Sequence, residues 1–215
     1  QGRVPGVFSD VAHKNGVAVS GVAGIPWNTS VQPGNQWYTA FTELAALGAP
    51  TVAEFMNYYG IDGLGYNSEF GSSSGLMDEI ITLHEDLMEE MKDVNPLFEN
   101  VWYDGTNEYG SCTFDRGLGD HNDDILASAS LFFNYNWSGL LGKSVTYAEQ
   151  NRLNPLNTYA GMNMQGGEGN FWTTLAQYPI SIGLWGAHNQ NMFWESRHEK
   201  GGAPDTRQRT YQLRL

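Results

Sequence analysis

Short apolar runs alternate along the chain with longer stretches in which apolar residues recur at helical spacing. The short runs predict strands, and they lie at residues 17–22, 60–66, 100–103, 130–135, 158–162 and 180–185. The longer stretches predict helices, at residues 37–58, 74–92, 121–129, 140–152 and 169–177. An earlier helix is predicted to end at Gly16, a residue suited to a helix C-terminus. The pattern therefore contains six strand–helix units in order, without a second domain or a low-complexity linker.

Alternating strands and helices imply a parallel sheet, which is either open and doubly wound or closed as a barrel. No glycine-rich dinucleotide loop follows a predicted strand, and this disfavours the nucleotide-binding, doubly wound form. We therefore predict the α/β class and a (β/α)8 TIM barrel. Because a closed barrel of this class has eight strands, the pattern predicts a partial barrel of about six β/α units, to be completed by additional segments of the same polypeptide.

The charge balance narrows the range of partners. The chain carries 24 acidic and 11 basic residues, for a net charge of -13, so we expect no binding to nucleic acid or to anionic membrane surfaces. No apolar run approaches the ~20 residues that span a bilayer, and we expect no membrane insertion. We expect a secreted or cell-envelope protein of a bacterium rather than a cytoplasmic one.

Metal and disulfide chemistry find no support in the sequence. The chain has one cysteine, Cys112, which excludes an intrachain disulfide and a cysteine-rich metal site. The histidines and acidic residues are scattered without the spacing of metal ligands, so we expect neither a metal nor any other cofactor.

Aromatic residues are abundant, with 7 Trp and 11 Tyr. Core packing explains most aromatic residues in most proteins. A sugar ring offers the functional alternative, because its apolar face stacks on an indole while its hydroxyls need hydrogen-bond partners. A chain rich in Trp and Asn but poor in Lys fits such a neutral ligand better than a charged one.

In a barrel of this class, active-site residues lie just past the C-terminal ends of the strands. At almost every predicted strand end, these positions hold polar or aromatic residues rather than the Gly, Pro and Ser of an ordinary loop. They are Asn67 and Glu69, Tyr103 and Asp104, Asn136 and Trp137, Asn163 and Gln165, and the residues from Trp185 to Asn189. This clustering predicts a carbohydrate site at one end of the barrel.

The most informative strand end carries Asn67 and Glu69. Residues two apart in a strand point to the same side, so both side chains should face the barrel mouth. Ordinary glycosidases need two carboxylates, whereas here one carboxylate has an amide as its neighbour. An amide makes sense if the substrate supplies its own nucleophile, the 2-acetamido carbonyl of N-acetylglucosamine, which attacks C1 and forms an oxazoline. The structural alternative for this pair is a solvated strand end.

In the catalytic interpretation, each of three side chains has a role. Glu69 protonates the leaving oxygen and then deprotonates the incoming water. Asn67 orients the acetamido group and stabilises its N–H as charge develops. Tyr103, at the next strand end, hydrogen-bonds the acetamido oxygen and aligns it for attack.

With these residues in view, the chain resembles glycoside hydrolase family 85, the endo-β-N-acetylglucosaminidases. The resemblance rests on residues 58–63 leading into 67–69, on residues 101–104 and 133–137, and on residues 12–17 and 159–163. It spans nearly the whole chain. Related family 18 enzymes show Asp-Gly-x-Asp-x-Asp-x-Glu on the same strand. Aligned on Glu69, this chain has Gly65 and Asn67 in place of the last two aspartates, and the Asn favours family 85.

The resemblance implies a catalytic TIM-barrel domain over residues 1–215 whose first and last strands lie outside this stretch. It implies hydrolysis of the GlcNAc-β1,4-GlcNAc chitobiose core of N-linked glycans, by a retaining, substrate-assisted mechanism. The partners it implies are an N-glycan or glycoprotein substrate. Two alternatives stay open, a family 18-like chitinase or endo-glycosidase and a non-catalytic glycan-binding barrel. Replacing Asn67 by Asp should discriminate between the two enzyme types.

Site residues follow from the same resemblance. Glu69 is similar to the family's acid/base, Asn67 to its acetamido-orienting residue and Tyr103 to the tyrosine that contacts the acetamido group. The further residues expected to bind substrate are Trp102, Asn134, Trp137, Asn163, Trp185 and Phe114.

For three of these binding residues, the resemblance implies a more specific role or a difference from the family. Trp137 resembles an aromatic residue that lines the glycan groove. Asn163 stands where many members have Asp. Phe114 replaces a tryptophan that flanks the acceptor site, which would change transglycosylation or the preference on the reducing side.

Overall fold

The structure is a computed structural model that describes residues 4–164 and 171–186. Its helices are α1 Gly6–Lys14, α2 Gln36–Leu47, α3 Ala49–Tyr59, α4 Ser74–Met91, α5 Asp123–Ser128, α6 Leu141–Gln150 and α7 Trp172–Leu175, with a 3-10 turn at Pro155–Asn157. Its strands are β1 Gly21–Ala23, β2 Thr29–Ser30, β3 Leu64–Tyr66, β4 Phe70–Gly71, β5 Val101–Tyr103, β6 Ser130–Phe133, β7 Thr158–Asn163 and β8 Ser181–Trp185.

Six strands form one parallel sheet in the order β1-β3-β5-β6-β7-β8. Within this sheet, each strand lies beside the sheet strand that precedes it in the chain, which is the strand order of a TIM barrel. The short strands β2 and β4 pair with each other in parallel beside this sheet. The α/β class and the partial barrel of about six units are confirmed. Among the described residues, no helix is long and apolar enough to cross a membrane.

One predicted helix is wrong, because residues 37–58 form two helices rather than one. The break falls at Gly48, which has φ 76°, a conformation that favours glycine. Its N–H donates to the carbonyl of Ala45 and so ends α2. Pro50 then lies in the first turn of α3, where its missing N–H costs no hydrogen bond. The Gly-Ala-Pro sequence at residues 48–50 therefore ends one helix and begins the next, and the apolar spacing alone does not show this break.

The sheet has a helix-facing side and an inner side, set by the alternation of residues along each strand. On the helix-facing side, the buried side chains Leu131, Phe133 and Met162 pack into the main hydrophobic core. On the inner side, the ring of Phe132 lies across β7 and β8. A Cβ added at Gly161 would lie 2.6 Å from this ring, and one at Gly183 would lie 2.1 Å from it. Glycine at these two positions therefore makes room for the ring inside the sheet.

A buried carboxylate ties the elements together at the end of the sheet opposite the predicted site. Asp62 accepts hydrogen bonds from the backbone N–H of Val19 (2.6 Å) and from Asn95 Nδ2 (2.7 Å). His13 Nε2 lies 2.7 Å from the same carboxylate. These contacts join the end of α1, the approach to β1 and the segment after α4, so His13 serves in a structural network.

Candidate active site

After β3 ends at Tyr66, successive side chains continue to point alternately to the two sides of the sheet as far as the candidate acid, Glu69. Tyr66 faces the helices, where it packs against Trp102 and His84. The residues on either side of it, Gly65 and Asn67, face the inner side and line a cavity there. A Cβ at Gly65 would lie 3.1 Å from Val22, so glycine lets β1 and β3 approach closely.

Asn67 and Glu69 lie together at the mouth of the sheet, as the strand period predicts. Asn67 Nδ2 donates to Glu69 Oε2 at 3.0 Å and lies 3.4 Å from the carbonyl oxygen of Ile25. The backbone carbonyl of Glu69 accepts a hydrogen bond from the N–H of Asn28 at 2.8 Å. Because Nδ2 is directed to the carboxylate, the amide oxygen Oδ1 is the group of Asn67 that remains to bind a ligand.

Ser68 holds this pair in register with the next strand. Its side chain is fully buried, and its Oγ donates to the carbonyl of Tyr103 at 2.5 Å. Its own carbonyl accepts hydrogen bonds from the N–H of Thr106 (2.7 Å) and from the Thr106 hydroxyl (2.8 Å). Sequence reasoning assigned no role to Ser68. The available signal was its place between two inward-facing polar residues, which directs its hydroxyl toward the neighbouring backbone.

Tyr103 is the last residue of β5, and its side chain lies on the inner side of the sheet. Its hydroxyl donates to Asn134 Oδ1 at 2.6 Å, and its ring centroid lies 6.0 Å from that of Phe114. Burial is the largest cause that raises the pKa of Tyr103, and the nearby Tyr135 and Glu69 add to it. The phenol therefore keeps its proton and remains a hydrogen-bond donor.

A cavity of about 410 Å³ opens on the inner side of the sheet. Its walls include Asn67, Glu69 and Tyr103, together with Trp185 of β8 and Tyr135 after β6. This volume lies in the range of small-molecule sites. Among the described residues that line it, Glu69 is the one acidic side chain. Tyr135 was missed by sequence reasoning, which had singled out Asn134 and Trp137 on either side of it.

The predictions that Trp102 and Trp137 bind substrate are wrong. Trp102 is 1% exposed and faces the helices, with its indole N–H donating to the carbonyl of Thr106 at 2.8 Å. Trp137 is 2% exposed, donates to the carbonyl of Gly161 at 2.6 Å and packs edge-on against Phe171. Both indoles are covered by protein on their faces and edges, so they cannot stack on a sugar.

The other predicted binding residues lie near the mouth. Asn134 contacts Tyr103 directly, and Phe114 packs beside the same ring. Asn163 ends β7 and is paired in register with Trp185, whose side chain is 45% exposed. Of the remaining strand-end positions, Gln165 and residues 187–189 lie outside the described residues.

A second carboxylate beside this strand end, Asp104, is turned away from the cavity. It is buried on the helix-facing side and accepts a hydrogen bond from Asn122 Nδ2 at 2.9 Å. Burial raises the pKa of Asp104 to about 7. Asp104 therefore does not supply a partner carboxylate for Glu69.

An exposed tryptophan next to a residue that hydrogen-bonds the backbone of Glu69 was also missed. Trp27, in the loop after β1, is 71% exposed. The next residue, Asn28, has φ 59° and donates its N–H to the carbonyl of Glu69. A bulky apolar side chain on a loop that follows a strand of the sheet was the available signal.

The fold and the cavity are those of a β/α barrel with a candidate sugar site at its mouth. The chain belongs to glycosyl hydrolase family 85, whose family model matches residues 5–211. No curated protein sequence matched the chain.

A solved structure shares the fold. The chain is similar to the glycoside hydrolase domain of Endo-D from Streptococcus pneumoniae R6, with a TM-score of 0.70 and 21% identity. That likeness covers 90% of this chain but 34% of that one, so the chain spans about a third of the length of this relative. A chitinase from Chromobacterium violaceum ATCC 12472 matches with a TM-score of 0.47 and 10% identity, over 75% of this chain and 54% of that one. A chitinase from Rhizomucor miehei matches with a TM-score of 0.46 and 13% identity, over 74% and 55%.

Proposed function

We propose that the protein is an endo-β-N-acetylglucosaminidase that hydrolyses the GlcNAc-β1,4-GlcNAc bond in the chitobiose core of N-linked glycans. The observation that carries this proposal is the pairing of Glu69 with the amide of Asn67 in a cavity whose described walls hold no second acidic side chain. A retaining glycosidase that uses two carboxylates needs them about 5 Å apart. Membership of glycosyl hydrolase family 85 supports glycosidase chemistry at this site.

In the first step, the acetamido oxygen of the substrate attacks C1 of its own sugar. The bond from C1 to the leaving oxygen breaks, and Glu69 gives its proton to that oxygen. The product is an oxazolinium ion that keeps the acetamido proton on its nitrogen, and in it the substrate oxygen replaces the carboxylate nucleophile of other retaining enzymes. Asn67 Oδ1 accepts the acetamido N–H, whose acidity rises as positive charge develops on the ring.

In the second step, water attacks C1 on the face that the leaving group has vacated. Glu69, now a carboxylate, takes a proton from this water, and the C1–oxygen bond of the oxazolinium ion breaks to restore the acetamido group. Two inversions at C1 give net retention. One carboxylate therefore acts first as acid and then as base.

Tyr103 is suited to align the acetamido group. Its raised pKa keeps the hydroxyl protonated, so it can donate to the acetamido oxygen and direct its lone pair at C1. Glu69 and Tyr103 line the same cavity and come from neighbouring strands. A donor fixed in advance holds the acetamido oxygen in line with C1, so the attack needs little reorganisation of the group.

Exposed aromatic residues supply the sugar-binding surface in this proposal. Trp185 lines the cavity with nearly half of its side chain exposed, and Tyr135 lines the same wall. We assign the stacking of glycan rings to these two side chains and to Trp27, with polar contacts from Asn163. Phe114, beside Tyr103, is the proposed contact on the reducing side.

The test is incubation of the complete polypeptide with a high-mannose glycopeptide, followed by mass spectrometry of the products. The proposal predicts a released glycan with one N-acetylglucosamine at its reducing end and a peptide that keeps the other one. A Glu69→Gln protein prepared in the same way should release almost none. Glycan that binds without being cut would favour a binding barrel, whereas cleavage of chitin oligomers in preference to the glycopeptide would favour a chitinase.

A further inference from the structure

A chain of side-chain hydrogen bonds links the cavity to a loop carboxylate that the proposed chemistry does not use. The hydroxyl of Tyr103 donates to Asn134 Oδ1 at 2.6 Å. Asn134 Nδ2 donates to Asp115 Oδ1 at 2.8 Å, and Asn136 Nδ2 donates to Asp115 Oδ2 at 2.9 Å. Asp115 thus joins the loop after β5 to the two asparagines that follow β6.

The carboxylate sets the direction of every bond in this chain. A side-chain amide can be turned either way round, with its oxygen or its nitrogen toward a given neighbour. A carboxylate only accepts hydrogen bonds, so it draws the nitrogen of Asn134 to itself. The oxygen of Asn134 is then left facing Tyr103, which must donate.

The fold holds Asp115 in an unusual conformation to make these contacts. Its φ is 59°, in the left-handed region that non-glycine residues seldom adopt, although Asp tolerates it better than most. The loop is fixed on both sides of Asp115. The N–H of Thr113 donates to the carbonyl of Gly105 at 2.6 Å, and the N–H of Leu118 donates to the hydroxyl of Ser144 at 3.0 Å. The position of the carboxylate is therefore set by the backbone and by two amides.

We propose that Asp115 is a positioning residue that acts through Asn134 to fix the place of the Tyr103 oxygen. Its consequence for catalysis rests on the function proposed above, because Tyr103 is there the donor to the acetamido group. In this structure the hydroxyl hydrogen of Tyr103 is directed to Asn134 Oδ1. When substrate enters, the acetamido oxygen shares this hydrogen with Asn134 Oδ1 in a three-centre bond, and the part that Asn134 keeps holds the phenol in place.

Replacing Asp115 by Asn removes this control with little change of shape. The new side chain offers one oxygen and one NH2 group to two amide donors, so it cannot accept from both. Asn134 is then no longer held by a charge-assisted bond and can rotate, so the phenol loses the bond that sets the place of its oxygen. Because the misplaced donor acts on the reacting oxygen, kcat should fall by about tenfold, and KM should change by no more than about twofold.

A double-mutant cycle on the enzyme tests the route of this effect. The four proteins are the wild type, Asp115→Asn, Tyr103→Phe and the double variant, assayed on the glycopeptide. If Asp115 acts through the Tyr103 hydroxyl, the double variant should be no slower than Tyr103→Phe alone. Two losses that simply multiply would overturn the proposal.

The matched control is Asp120→Asn, which removes the same charge from the same loop. The side chain of Asp120 is 95% exposed, and its Oδ1 lies 4.0 Å from Nδ1 of His121. This variant should keep kcat within about twofold of the wild type. An equal loss in Asp120→Asn would assign the effect to loop charge and overturn the positioning role.

A measurement that does not depend on activity separates this proposal from the proposed function. The side-chain amide protons of Asn134 give an NMR signal that can be assigned by its loss in Asn134→Ala. This signal should move upfield in Asp115→Asn, where the charge-assisted bond is lost, and stay in place in Asp120→Asn. A wild type that cuts no glycopeptide would refute the function only, whereas an unmoved Asn134 signal in Asp115→Asn would refute the relay.

Should Asp115→Asn fail to fold, Asn134→Ala removes the middle link instead. It should reproduce the loss in kcat with little change in KM, and combining it with Tyr103→Phe should cause no further loss. Full activity in Asn134→Ala would overturn the proposal.

Discussion

Trp102 and Tyr103 are neighbours on one strand, yet they belong to opposite layers of the molecule. Trp102 faces the helices and is 1% exposed, whereas Tyr103 faces the cavity and contacts Asn134. The helix-facing layer buries its aromatic rings against apolar side chains, and the inner layer exposes its rings beside polar ones. Position along the strand, rather than residue type, therefore decides which aromatic residues can contact a ligand.

The same division separates the two carboxylates. Glu69 lines the cavity with Asn67 as its partner, while Asp104 is buried on the helix-facing side with Asn122 as its partner. Both carboxylates accept from an amide, but only Glu69 can reach a ligand. The layer therefore gives Glu69 access to a ligand and denies that access to Asp104.

The largest expected effect comes from Glu69→Gln, in the inner layer. We expect hydrolysis of the glycopeptide to fall by about 10²–10⁴-fold, because the general acid and base is lost. The free energy of unfolding should change by less than about 1 kcal/mol. Steady-state kinetics and urea denaturation measure the two quantities. A variant that keeps more than half of the wild-type kcat would remove Glu69 from the mechanism.

The next largest effect should come from Trp102→Ala, in the helix-facing layer. We expect a loss of about 3–5 kcal/mol in the free energy of unfolding, because a large buried ring and its hydrogen bond are removed. Trp185→Ala is the matched control, since it removes the same side chain from the inner layer, where it is 45% exposed. Equal losses of stability in the two variants would contradict the division into layers.

A smaller effect should appear in the pH dependence of stability. Burial raises the pKa of Asp104 to about 7, so the folded protein keeps a proton that the unfolded chain has already lost. The contribution of Asp104 to stability therefore falls as pH rises from about 4 through 7. We expect Asp104→Asn to gain stability relative to the wild type over this range, as measured by urea denaturation at several pH values. Asp120→Asn is the exposed control and should show no such trend.

The smallest effect should be that of Trp185→Ala on substrate binding. We expect KM for the glycopeptide to rise by about three- to tenfold, because a stacking surface is lost while the reacting groups are unchanged. The value of kcat should stay within about twofold. A variant with unchanged KM would place the glycan elsewhere, and Trp27→Ala would then be the variant to measure.

Much of the fold could be predicted from the sequence, because apolar spacing reports strands and helices directly. All six strands of the sheet fall within or next to their predicted segments. The break at Gly48 was missed because the apolar spacing continues across it. The pairing of Asn67 with Glu69 could also be predicted, since two residues of one strand are related by the strand period alone.

The errors at the site have a physical origin. Trp102 was assigned to the substrate through the family resemblance, although the alternation that places Tyr103 inward also places Trp102 outward. Trp137 follows the strand by several residues, and its burial depends on Phe171, a contact between segments far apart in the chain. Asp115 lies in a loop and meets its partners only through the folded structure, so no local pattern could have revealed it.

The most direct test of the account is the effect of Asn67→Ala on two substrates. With the glycopeptide, the acetamido group must be oriented for attack, and we expect the rate to fall by about 10²-fold. With a synthetic glycan oxazoline, the acetamido oxygen is already bonded to C1, and we expect a loss of less than about tenfold in its turnover. Equal losses on both substrates would contradict a mechanism in which Asn67 serves a nucleophile that belongs to the substrate.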